Sequence, residues 1–120
     1  MPSNDTTPAA TLRAWQKRAH TQLAEFLSRA ERLDLPPLTW TIAINGALTG
    51  QPDSLSYTPD ERRDAVHRWA RYLDVQVDTT HTTDGREELY AGWRHPKSQV
   101  RGCFRATIFL DDETSSPENQ

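Results

Sequence analysis

The chain has 120 residues, 35% of them apolar and 26% charged, with a mean hydropathy of −0.81. That is the size of one small domain with a lean core and little stability to spare. No run approaches the roughly 18 consecutive apolar residues of a membrane span. The lone Cys103 excludes an internal disulfide framework and any multi-cysteine metal site.

Met1 to Trp15 carries neither a basic leader nor an apolar stretch, so no secretory signal is expected and the reading is a cytoplasmic protein. The formal net charge of −3 conceals an asymmetry. Asp111 to Gln120 holds four acids and no base, and the remainder has 14 bases against 13 acids. Residues 1–10 and this acidic tail, 111–120, read as disordered, because neither can bury enough apolar surface to offset ordering. Residues 11–110 read as a single α+β domain. Arginine outnumbers lysine twelve to two; the planar guanidinium fork suits phosphate and carboxylate, and a GC-rich codon bias produces the same ratio.

Thr11 to Leu33 predicts the first helix, with Leu12, Trp15, Ala19, Leu23, Phe26, Ala30 and Leu33 on one stripe. Pro36-Pro37 stops it. From Leu38 to Ile44, Leu38, Trp40, Ile42 and Ile44 alternate with threonines and Ala43, the pattern of a half-buried strand. Asn45-Gly46 predicts a tight two-residue turn, and Ala47 to Gly50 a short returning strand. Thr58-Pro59-Asp60-Glu61 assembles a capping box with proline in the first turn. The second helix it opens buries Val66, Trp69, Ala70 and Leu73, with Arg62, Arg63, His67, Arg68 and Arg71 largely on other faces, and ends between Tyr72 and Asp74.

The last third predicts a three-stranded meander. Leu89, Ala91 and Trp93 share a face with Val100, Gly102, Phe104, Ala106, Ile108 and Leu110. Glu88, Tyr90, Arg94, Arg101, Cys103 and Arg105 alternate to the other. A turn at Pro96-Lys97 would place Trp93 opposite Val100 and Tyr90 opposite Cys103. For Val75 to Thr82, a three-residue loop Thr83-Asp84-Gly85 with a left-handed glycine keeps Val75 and Val77 on the apolar face, where a two-residue turn would not. The expected fold is a two-layer α+β sandwich of order α-β-β-α-β-β-β, its sheet mainly antiparallel and both helices on one face.

Candidate chemistry is sparse. The four histidines, His20, His67, His81 and His95, are scattered, and no H-x-x-x-H or C-x-x-C occurs. Asp78, His81 and Asp84 could meet at one hairpin end, as polar hairpin ends do without metal. Cys103 and His95 fall on opposite strand faces, so they form no nucleophile–base pair. No phosphate-binding glycine loop or nucleophile elbow is present. No cofactor, metal or catalytic residue is assigned. Two surfaces remain: Tyr90, Arg94, Lys97, Arg101 and Arg105 along the last hairpin, and Arg63 and Arg71 on the second helix. Arginines around an aromatic on a sheet suit single-stranded nucleic acid; interspersed acids and a sequence pI of about 5.7 weigh against it. The same uncovered face could instead hold a protein partner or a second copy, and Trp15 is an anchor available to such a partner.

The segments Leu35-Pro36-Pro37-Leu38-Thr39-Trp40, Gly46 to Gly50 and Val66 to Ala70 resemble a group of small actinobacterial proteins found in regulatory or mobile-element gene neighbourhoods. The resemblance spans Leu12 to Leu110. It implies a cytoplasmic accessory or regulatory role and brings no catalytic residues. The reading is a non-enzymatic protein-binding accessory or regulatory module whose partner is another protein or a second copy held on the uncovered sheet face, with nucleic-acid binding through the arginine-bearing C-terminal hairpin and second helix as the alternative.

Overall fold

The computed structural model describes residues 6–110; the acidic tail lies outside them, as do residues 1–5. The elements are α1 (Ala9–Leu33), β1 (Thr39–Ile42), β2 (Leu48–Gln51), α2 (Pro59–Leu73), β3 (Asp78–His81), β4 (Arg86–Arg94) and β5 (Arg101–Phe109). The strands form one open, five-stranded sheet in the order β1-β2-β5-β4-β3. Three pairings are antiparallel and β2–β5 is parallel, so this α+β fold has a mixed sheet. No helix among the described residues is long and apolar enough to cross a membrane.

α1 begins two residues earlier than the apolar stripe predicted, within the segment read as disordered. The Pro8 carbonyl accepts the Thr11 and Leu12 N–H groups at 3.0 and 3.1 Å. Its buried residues are Ala19, Gln22 and Phe26. Leu33 is exposed, contrary to expectation, because the chain leaves the helix at once through left-handed Asp34. Leu35 folds back to bond the Ala30 carbonyl at 3.0 Å and packs on the core in its place. α2 opens on the predicted capping box: Glu61 N–H donates to the Thr58 hydroxyl and Thr58 N–H to the Glu61 carboxylate. Arg62, expected outside the buried stripe, is buried, since it lies four residues before Val66 on the same helical face.

The first hairpin turns on three residues, not two. Ala43 N–H donates to the Ala47 carbonyl and Gly46 N–H to the Ala43 carbonyl, with Gly46 at φ +83°. Ile44 therefore sits in the turn, out of the strand alternation, and is exposed. The β3–β4 loop is of the predicted kind: Gly85 has φ +85°, and Thr82 N–H donates to the Arg86 carbonyl at 2.8 Å. β3 itself starts only at Asp78, although Val75 and Val77 pack against the core.

The last hairpin keeps the predicted parity but is offset by two residues. Trp93 faces Gly102, Ala91 faces Phe104, Tyr90 faces Arg105 and Gly92 faces Cys103. The reason is the turn. His95 pairs with Val100 across four loop residues, Gln99 N–H returns to the His95 carbonyl, and Gln99 takes up left-handed φ +64°. The His95 Nδ1 accepts the Lys97 and Ser98 backbone N–H groups, holding this longer loop.

Five aromatic rings fill the core. Phe26 stacks on Trp40 at 5.6 Å and meets Trp93 edge-on at 5.2 Å; Trp69 meets Trp40 at 5.3 Å and Phe104 at 5.4 Å. Trp40 lies across its strand partner Gly50, and Trp93 across its partner Gly102. The Trp69 indole N–H donates to the Pro36 carbonyl at 2.8 Å, tying α2 to the link after α1. A Cβ at Gly102 would collide with the Leu48 carbonyl and the Trp93 ring. Gly102→Ala should therefore cost about 1–3 kcal/mol in urea unfolding. Gly92→Ala, whose new methyl meets only the movable Tyr90 ring, should cost less.

Candidate binding face

Strand alternation sets the arginines of the last hairpin away from the aromatic core. Arg94 and Arg101 are direct cross-strand partners, Arg105 faces Tyr90, and all four side chains are exposed. Ion pairs among the described residues engage Arg63, Arg68 and Arg86 and leave Arg94, Arg101 and Arg105 without a carboxylate. Like charges directly opposite on a sheet repel, so this row gains from an anion laid across it. The Tyr90 ring is 51% exposed and lies over Gly92, within reach of that glycine's missing Cβ at 3.1 Å. Phe109, exposed to the same extent, stands farther along β5 on the same face.

Arg18 joins this cluster from α1. It lines a recess of about 200 Å³ with Trp15, Asn45, Gly46, Gln99 and Arg101. Gly46 approaches α1 closely: a Cβ there would lie 2.8 Å from the Trp15 Cβ and carbonyl oxygen. Trp15 thus packs on the first hairpin. Lys97 is exposed in the four-residue turn. Beneath that turn Ser98 donates its hydroxyl to Gln22 at 2.8 Å, Gln22 donates to Glu25 at 2.9 Å, and the His95 Nε2 lies 3.2 Å from Glu25. The Gln22 hydrogen bond holds the Glu25 carboxyl below its usual range. With the Ser98 hydroxyl given to Gln22 and the His95 Nδ1 filled by backbone, these four residues brace the turn against α1.

The two helix arginines stand apart from the exposed arginine row of the hairpin. Glu87 shares a face with Leu89 and is nearly buried, and Arg63 grips it with contacts of 2.7, 3.0 and 3.2 Å while also reaching Asp60 at 2.7 Å. Arg71 is exposed on the last turn of α2. Asp78, His81 and Asp84 also separate: Asp78 faces Tyr90, His81 approaches Glu87 at 3.9 Å, and Asp84 is held by Thr82 and Arg86. Among the described residues no group of three metal-ligating side chains assembles. Cys103 lies beside Thr49, its Sγ 3.9 Å from the threonine hydroxyl.

Arg18 carried no sequence signal beyond its place one turn after Trp15, because the approach of α1 to the β1–β2 and β4–β5 turns is non-local. No protein-family model, curated protein or solved structure matches the chain.

The Arg63 guanidinium, through its hydrogen bonds first, holds the Glu87 carboxyl below its usual value of 4.5. A carboxyl depressed by folding stabilises the fold above its unfolded pKa, and that contribution disappears as pH falls through the folded value. Glu87→Gln should cost about 1–3 kcal/mol at neutral pH. In urea titrations across pH the gap between the two proteins should close as pH drops below 4.5.

Proposed function

We propose that this protein is a non-catalytic binding module that takes single-stranded nucleic acid on one face of its sheet. In this reading both helices pack on the aromatic face and leave the other open. The observation that carries it is the Arg94–Arg101 opposition, without a paired carboxylate among the described residues, flanked by Arg105 and Arg18 and by an exposed Tyr90. Guanidinium groups neutralise successive phosphates, and an aromatic ring lying along a sheet offers a base its face whatever the sequence. Two features distinguish this partner from the others. A second copy set face to face would double the arginine repulsion, which disfavours self-association through this surface. An acidic peptide would use the arginines but leave the Tyr90 ring without a role. The role proposed is an accessory or regulatory one in the cytoplasm, as the resemblance to small actinobacterial proteins implies.

The test is titration with labelled random single- and double-stranded DNA and RNA at about 50 and 200 mM salt. Single strands should bind saturably at low salt and be largely released at high salt. Arg101→Gln and Arg105→Gln should each lower the salt slope by about 1, and Tyr90→Ala should cost about 1–3 kcal/mol with the slope unchanged. Equal affinity for duplex, or no binding at either salt, overturns the reading and favours an acidic protein partner.

A further inference from the structure

Arg62 is a buried charge with no ion pair among the described residues. The side chain is 6% exposed. Among the described residues its hydrogen bond is from Nη1 to the Thr107 carbonyl at 3.0 Å, and Nε is buried with no partner. Glu87 and Asp60 are both engaged by the neighbouring Arg63. A buried guanidinium facing one neutral oxygen is costly unless an anion completes it.

Beside Arg62 the sheet has a gap. β2 pairs with β5 only from Leu48 to Gly50, against Gly102 to Phe104, and then turns away at Pro52. Among the described residues the second half of β5 has no strand neighbour on that side. The slot measures about 550 Å³ and is lined by Thr39, Gln51, Asp53, Arg62, Thr107 and Phe109, among others. That volume falls within the roughly 300–1,000 Å³ of small-molecule sites.

We infer that this slot binds a small organic monocarboxylate, its acid group set against the side of the Arg62 guanidinium that lines the slot and its apolar body lying along Phe109. Thr39 and Gln51 add hydrogen-bonding side chains to the slot, and the half-exposed Phe109 ring supplies an apolar wall. Asp53 sets the ligand's charge. Its carboxylate is spent within its own turn, on Leu55 N–H at 3.2 Å and the Ser56 hydroxyl at 2.9 Å, and these bonds hold it below its usual range. It remains a negative charge in the slot, which repels a phosphate dianion more strongly than a monoanion. The site is separate from the Arg94–Arg101 row and stands whether or not that row binds nucleic acid.

The experiment titrates ¹⁵N-labelled protein with benzoate, with its neutral analogue benzamide and with inorganic phosphate at one ionic strength. Benzoate should move the Arg62 Nε–H and the Thr107 and Phe109 amides saturably and leave Arg94 and Arg101 in place. Benzamide and phosphate should leave all of these unmoved. Arg62→Gln should abolish the benzoate response. Phe109→Ala, an exposed position whose loss leaves the core intact, should weaken it several-fold and keeps the test decisive if the Arg62 variant does not fold. No saturable response to benzoate, an equal response to benzamide or phosphate, or undiminished affinity in Phe109→Ala overturns the inference.

Discussion

Two tryptophans lying across glycines hold this fold together. Trp40 covers Gly50 and Trp93 covers Gly102 on neighbouring strands, so two indoles lie low on the sheet where any Cβ would lift them. Phe26 then reaches both rings from α1, and Trp69 reaches Trp40 and Phe104 from α2. In a chain only 35% apolar, this cluster stands in for the aliphatic core that the composition lacks, each aromatic pair adding about 0.5–1.5 kcal/mol beyond the area it buries. The Gly102 approach also brings β2 against β5 and so joins the first hairpin to the meander.

With Trp93 and Phe104 on the core parity of the last hairpin, its exposed arginines follow on the other. Arg94, Arg101 and Arg105 share a surface because their strand neighbours Trp93, Val100, Phe104 and Ala106 belong to the core. Concentrating like charge there costs stability in the free protein, and ligation by a polyanion relieves it. Arg63 illustrates the opposite case. It sits beside Glu87, an acid on the core parity, and the pair closes the flank of α2 in place of offering a charge to a ligand.

Features with local causes were legible in the sequence. The capping box at Thr58 and Glu61 needs only residues within one turn, and the left-handed Gly85 followed from keeping Val77 on the apolar face. Alternation also placed Tyr90, Arg94, Arg101 and Arg105 on one surface. It could not say which faced which, because a slip of two residues preserves every face; the offset is decided by His95 capping a four-residue turn through its Nδ1. Asn45-Gly46 misled because Asn45 bonds Ala47 through its side chain and leaves the left-handed position to Gly46 alone. The parallel β2–β5 pairing is non-local and leaves no mark on either strand's pattern. Arg62 and Gln22 were hidden by their polarity: each falls on its helix's buried stripe by spacing, and each is buried. Glu87 likewise keeps step with Leu89 and Ala91, a parity that places it with the core and Arg63 with it.

The central claim is that the arginine-bearing strand face, and no other surface, takes a single-stranded polyanion. It is tested most directly by mapping backbone amide shifts during titration of ¹⁵N-labelled protein with a short single-stranded oligonucleotide at low salt. The account predicts saturable shifts at Tyr90, Gly92, Arg94, Arg101, Cys103 and Arg105, with α2 around Arg71 unmoved. Shifts centred on α2, or none anywhere, would contradict it.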